Sequence, residues 1–247
     1  MDELGRMDEL EPMPGNWSRA LAVVAHPDDL EYGAAGAVAV WTGAGKDVRY
    51  LLVTRGEAGI ATLPPVECAP VREAEQQAAA AAVGVSIVEY LDHTDGVVEY
   101  GPALRRDIAA TIRRHQPDLV LTGNYRDTWA GGGWNSADHR HVGRAVLDAV
   151  ADAANRWIFP DLAEQGLPPW SGVRYVAVAG SPEPTHALDV SAVMDRAVES
   201  LAAHDAYLTA LGDHPMAQPR EFLAWLAELN GARFGGRPAA VFEVFRC

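Results

Sequence analysis

The chain has 247 residues, 34 acidic against 20 basic side chains and a formal charge of -14. That is long enough to bury an ample core as one large domain, and it is the wrong sign of charge for nucleic acid or an anionic membrane as the main partner. No apolar run approaches the roughly 18 residues of a membrane-spanning helix, so no membrane insertion is expected.

The opening stretch, MDELGRMDELEPMPG, is acidic and lacks the basic-then-apolar order of a secretory leader. Residues 1–19 read as a flexible acidic tail ahead of a single domain over 20–247. Two cysteines, Cys68 and Cys247, make no disulfide framework, which fits a reducing cytoplasm.

Residues 21–25, LAVVA, are a short apolar run with two valines, and Pro27 follows them closely. They read as a fully buried strand whose ladder the proline ends. The turn behind it holds His26, Asp28, Asp29 and Glu31, one imidazole and three carboxylates in six residues. Like charges this close need neutralising. Two readings stand side by side: a solvated acidic turn in which Asp28 or Asp29 caps the next helix, or a divalent metal held by His26 and one aspartate with the other free as a base.

A helix of small apolar residues follows over 32–44. Its GAAG lacks the glycine spacing of a dinucleotide loop. A second strand is expected at 48–54, ending in a loop at 55–59. Pro64, Pro65 and Pro70 lead to an Ala- and Gln-rich helix at 71–83. A third strand at 86–91 ends in the turn Asp92-His93-Thr94-Asp95-Gly96. Leu104, Ile108 and Ile112 recur at helical spacing within a helix at 102–115.

A fourth strand at 119–122 leads into a Gly- and Trp-rich loop, 123–136, whose Trp129 and Trp134 would suit sugar faces, although loop aromatics commonly serve packing. Asp138-His139-Arg140-His141 opens a helix to about 154. The Pro- and Trp-rich 156–172 reads as a lid. A fifth strand at 173–179, a turn at 181–186, a long helix at 190–211, a short one at 222–229 and a last strand at 239–245 complete the chain.

Alternating strands and helices predict a Rossmann-like, doubly wound, mostly parallel α/β sheet with helices on both faces. Right-handed crossovers bring the polar residues after the first four strands to one edge. His139, at the start of a helix after the fourth strand, is then the best third ligand. His26, Asp29 and His139 would form a two-histidine, one-carboxylate set with open positions for water and substrate. Such a set takes Zn2+, and would also accept Fe(II) or Co(II).

AHPDD-x-E after a first strand, together with the later D-H-R-x-V-G, resembles the LmbE-like or PIG-L family of zinc-dependent de-N-acetylases. The likeness spans about 20–155. LDVS at 188–191 and AAHD at 202–205 look similar to its C-terminal part. The resemblance implies metal ligation by His26, Asp29 and His139, with Asp28 as the general base. It also implies substrate contact by Arg72, in R-E-A-E, and by Asp95 near the sugar hydroxyls; Glu31 would support the turn. Zn2+ would be the cofactor, and a small amino-sugar conjugate the partner in a hydrolysis that removes an N-acetyl or other N-acyl group.

Many relatives read H-P-D-H where this chain has Ser136-Ala137-Asp138-His139. Serine carries no positive charge at neutral pH, so the first histidine's work on the oxyanion or the leaving amine must move. His93 and His186, each ending a strand, are the candidate replacements, and the Trp134 indole N–H is a candidate donor. His141, His204 and His214 read as structural. An amidase acting on a thiol-sugar conjugate, or an inactive metal-bound carbohydrate-binding relative, are the competing functions. The sequence leaves a homo-oligomer open.

Overall fold

The computed structural model describes residues 9–247. The elements, in order, are β1 (Glu11–Pro12), β2 (Arg19–Val24), α1 (Ala35–Gly43), β3 (Asp47–Leu52), α2 (Pro65–Ala82), β4 (Val88–Tyr90), α3 (Pro102–His115), β5 (Leu119–Thr122), α4 (Ala137–Ala154), α5 (Asp161–Glu164), β6 (Tyr175–Ala179), β7 (His186–Asp189), α6 (Met194–Ala202), α7 (Asp205–Leu211), α8 (Pro219–Gly231) and β8 (Ala239–Arg246).

They form one eight-stranded sheet of order β1-β7-β8-β6-β5-β2-β3-β4. The block β4-β3-β2-β5-β6 is parallel throughout, and β8 runs antiparallel between β6 and β7. The expected doubly wound sheet is present, with the antiparallel strand at one side. Chain order reverses between β2 and β5: the next two strands lie to one side of β2, the later ones to the other. That is the switch point of an open α/β sheet, where the loops leaving the two strands diverge and open a crevice.

Both faces of the sheet are buried, which is why its strands are apolar runs rather than alternating ones. Ala20, Ala22 and Val24 of β2 join the core under α1, α6 and α8, where Trp41 and Phe242 are also buried. Leu21 and Val23 face the opposite core with Ile108, Ile112, Val142 and Val146 of α3 and α4.

Three sequence expectations change. The tail reading of 1–19 gives way from Leu10 onward: Leu10, Met13 and Trp17 are buried. Trp17 packs edge-on against Trp41 at 5.1 Å, and Lys46 lies 4.0 Å over its ring. Residues 1–8 lie outside the described residues. The stretch 156–172 is no lid. The buried Arg113 guanidinium donates to the carbonyls of Asp152, Ala153, Asn155, Ile158 and Phe159. That clamps the stretch to the C-terminal end of α4, at the opposite end from His139. The helix expected over 190–211 breaks between α6 and α7, and the break buries His204 completely. Among the described residues no helix is long and apolar enough to cross a membrane.

Replacing Trp17 by alanine is expected to lower the unfolding free energy by about 3–5 kcal/mol, the usual cost of emptying a large buried aromatic site. Chemical denaturation measures it, and an unchanged midpoint would mean that this segment is not part of the core.

Candidate metal centre and active site

The turn after β2 folds onto its own aspartate. Asp29 Oδ2 accepts the backbone N–H groups of Ala25 (3.0 Å) and His26 (2.9 Å). Its Oδ1 is thereby aimed outward, 2.9 Å from His139 Nε2. His26 Nδ1 lies 3.3 Å from the same His139 nitrogen and 3.7 Å from Asp29 Oδ1. Three donor atoms from the β2 turn and the first turn of α4 thus meet at the switch point.

The far side of each of the three side chains is occupied. His26 Nε2 lies 3.0 Å from Asp95 Oδ1 and 3.2 Å from Asp138 Oδ2. His139 Nδ1 lies 3.0 Å from Asn135 Oδ1. Asp138 and Asp95 are fixed in turn. Asp138 accepts the N–H groups of Gly96 (2.7 Å) and Val98 (3.1 Å), and Asp95 Oδ2 accepts that of Ala58 (2.8 Å). Ligand histidines held this way on their second nitrogen are the common pattern of metal sites.

The donor set fits a divalent transition metal. Two imidazole nitrogens facing each other and a carboxylate oxygen, all within 4.8 Å of one another, are the atoms such an ion collects. Three protein donors are fewer than such an ion takes, which leaves the set partial, as catalysis requires. His26, Asp95 and Asp138 also approach one another, but there the carboxylates accept backbone N–H groups and serve to orient His26.

Electrostatics agree. Burial disfavours charge on His26, yet Asp29, Asp138 and Asp95 outweigh it and hold its pKa well above the usual value. Burial likewise opposes a charge on His139, and Asp29 overcomes it. Asp29 is buried, but the two imidazoles hold its pKa far below the ordinary carboxylate range. The pocket is therefore built for positive charge beside Asp29.

Asp28 stands next to the cluster and ligates nothing in it. Its φ of 83° turns the chain so that consecutive aspartates point apart; aspartate tolerates this left-handed region better than most residues. Arg72 Nη2 donates to Asp28 Oδ2 at 2.8 Å and to the Pro27 carbonyl at 2.6 Å. Burial raises the Asp28 pKa to about 6 against the pull of Arg72. The ring of Tyr207 covers Arg72 at 3.9 Å.

Of the residues read from the sequence, His26, Asp28, Asp29 and His139 come together. Arg72 and Asp95 join them in supporting roles: Arg72 is buried on Asp28, and Asp95 is spent on His26 and Ala58. His93 does not reach the cluster. It sits two strands from β2, with Nε2 3.1 Å from Asp107. His186 lies inside β7, three strands from β5, beside Glu11 and Thr185. Trp134 is 68% exposed and stacks under Arg140 at 4.8 Å. Trp129 is the aromatic at the site, 5.6 Å from the His139 ring. Ser136 caps α4, its Oγ accepting the N–H of His139 at 3.1 Å.

Asp138, Asn135, Gln76 and Tyr207 are parts of the site that the sequence reading left without a role. Asp138 lay within the D-H-R-x-V-G stretch itself, and Asn135 is one helical turn before His139. Gln76 and Tyr207 carried no local signal.

Residues 21–150 match the PIG-L family, GlcNAc-PI de-N-acetylase. The chain belongs to the PIG-L family. It is 31% identical over 194 residues to the diacetylchitobiose deacetylase of Thermococcus kodakarensis, covering 76% of this chain and 69% of that protein. Its fold is similar to that of the N,N'-diacetylchitobiose deacetylase of Pyrococcus horikoshii, solved with its inhibitor MPG. The TM-score is 0.84 at 23% identity, over 93% of this chain and 84% of that one. It is also similar, with a TM-score of 0.74 at 19% identity over 92% and 95% of the two chains, to GalB, the 4-carboxy-2-hydroxymuconate hydratase of Pseudomonas putida KT2440. One architecture thus carries different reactions, and the reaction must be argued from the site.

His139→Ala is expected to lower zinc affinity by at least about tenfold, while His93→Ala and His186→Ala keep the wild-type stoichiometry. Elemental analysis after dialysis decides this. Equal loss from all three variants would contradict the assignment of ligands.

Proposed function

We propose that this PIG-L protein is a metal-dependent hydrolase that removes the N-acetyl group from an N-acetylglucosamine conjugate, with zinc as the ion. The observation that carries the reading is the pairing of a three-atom donor set with a neighbouring, non-ligating carboxylate, Asp28, at the switch point of the sheet. The family match and the kinship with a diacetylchitobiose deacetylase support an acetylated amino sugar as substrate. Trp129, 36% exposed at the edge of His139, offers an aromatic surface beside the centre.

His26, Asp29 and His139 would hold the ion, which supplies Lewis acidity toward the acetyl carbonyl and toward water. Asp28 takes the proton of the attacking water. Arg72 keeps that carboxyl on one side of the turn, and burial keeps its basicity above that of an ordinary aspartate. The amine needs a proton to leave, and neither His93 nor His186 is placed to give it. Asp28, once protonated, is the group in position to return one. This makes a single carboxyl serve both halves of the reaction and removes the need for a histidine at position 136.

Metal-loaded protein is expected to release acetate from N,N'-diacetylchitobiose or another N-acetylglucosaminide in a small panel. Asp28→Asn should lower turnover by about 10²–10⁴-fold, the usual worth of a general base, with metal content unchanged. Acetate assay and elemental analysis read both. Sugar binding without acetate release, the same in wild type and Asp28→Asn, would point instead to a carbohydrate-binding relative.

A further inference from the structure

Behind the turn after β2 lies a buried polar chain that ends on the backbone of Asp28. The Asp28 backbone N–H donates to Gln76 Oε1 at 3.0 Å. Gln76 Nε2 donates to Glu31 Oε1 at 3.1 Å. Glu31 Oε1 also lies 3.4 Å from Ser200 Oγ, and its Oε2 lies 3.6 Å from His204 Nε2. Asp28, Glu31, Gln76, Ser200 and His204 are all buried, His204 completely. The chain runs from the α6–α7 break, across α2, to the one aspartate of the turn with a positive φ.

A buried amide side chain is expensive to leave unpaired and strongly directional once paired. Here the Asp28 N–H and Glu31 fix the two ends of the Gln76 amide between them. A carboxylate only accepts, so Nε2 must point to Glu31 and Oε1 to the Asp28 N–H. That bond fixes the peptide at which the turn enters its left-handed conformation, and hence where the Asp28 carboxyl lies relative to Asp29.

We propose that Gln76 is a positioning residue for the catalytic base, oriented by Glu31, and that it acts on turnover through the backbone of Asp28. The proposal rests on the reading of Asp28 as the base. It gives the buried glutamate of the first motif a defined task, and it ties the C-terminal third of the chain to the chemistry at β2.

The test uses the full-length, metal-loaded protein and acetate release. Gln76→Met keeps the volume and removes both hydrogen bonds. It is expected to lower kcat by about 10–100-fold, the usual effect of an outer-shell partner, with KM and metal content near wild type. Gln76→Glu alone sets two carboxylates against each other and should be worse. Combining Gln76→Glu with Glu31→Gln rebuilds both bonds, the one between 76 and 31 with its polarity exchanged, because residue 76 still accepts from Asp28 and the amide at 31 now donates to it. That double variant should recover turnover to within a few-fold of wild type, a coupling that separate structural losses do not produce. Wild-type kcat in Gln76→Met overturns the proposal. So does a double variant no more active than Gln76→Glu, whether it is folded or not. Asp28→Asn run beside them separates the two readings. If it is as active as wild type, the base assignment fails. If it is inactive while Gln76→Met is unimpaired, only the role of Gln76 fails.

Discussion

Two imidazole nitrogens and one carboxylate oxygen are held facing one another at 2.9–3.7 Å, and almost everything else near the switch point explains why they stay there. The far nitrogens of both rings face oxygen acceptors, so neutral imidazoles that donate there turn their bare nitrogens toward each other and toward Asp29 Oδ1, a poor arrangement without a cation between them. The structure nevertheless enforces it from both sides. Asp29 spends one oxygen on the backbone of its own turn, His26 is pinned by Asp95 and Asp138, and His139 by Asn135. With the second atom of each of the three side chains occupied, the remaining atoms have one direction left, and a cation at their focus would resolve the conflict.

The sheet topology makes the meeting possible. His26 and His139 are more than a hundred residues apart, and they become neighbours because β2 and β5 pair in parallel with their carboxyl ends at the same edge. The helices after these strands lie on opposite faces of the sheet, so the two loops part and leave the crevice. α4 contributes its first turn: Ser136 caps it, Asp138 staples it to the turn after β4, and His139 projects from it. Ser136 has a structural task here, accepting the His139 N–H at the start of α4.

Much of this was legible in the sequence for local reasons. The apolar run before His26, the proline that ends it and the dense carboxylates behind it are contiguous, and contiguous signals survive without a structure. The alternation of strands and helices predicted the parallel block and the edge carrying the site. Pairings across the sheet were not legible. His186 looks like a turn residue after Pro182 and Pro184, yet it lies in β7 because β1 and β8 supply partners on both sides. His93 sits at the expected edge, but two strands away. Trp134 and Trp129 are equivalent by composition, and only the loop's bridge between Thr128 and Trp134 and the ring's seat on His139 separate them. Gln76 and His204 owe their places to burial and to neighbours far apart in sequence, which local residue patterns do not show.

X-ray absorption at the zinc edge of the zinc-loaded protein reports which atoms share the ion. The expected spectrum has a first shell of nitrogen and oxygen only, at about 2.0–2.2 Å, with the outer scattering of two imidazoles. That scattering should fall to one imidazole when His26 is replaced by alanine. A shell containing sulfur, an all-oxygen shell, or a spectrum indifferent to the loss of His26 would contradict the proposed ligand set.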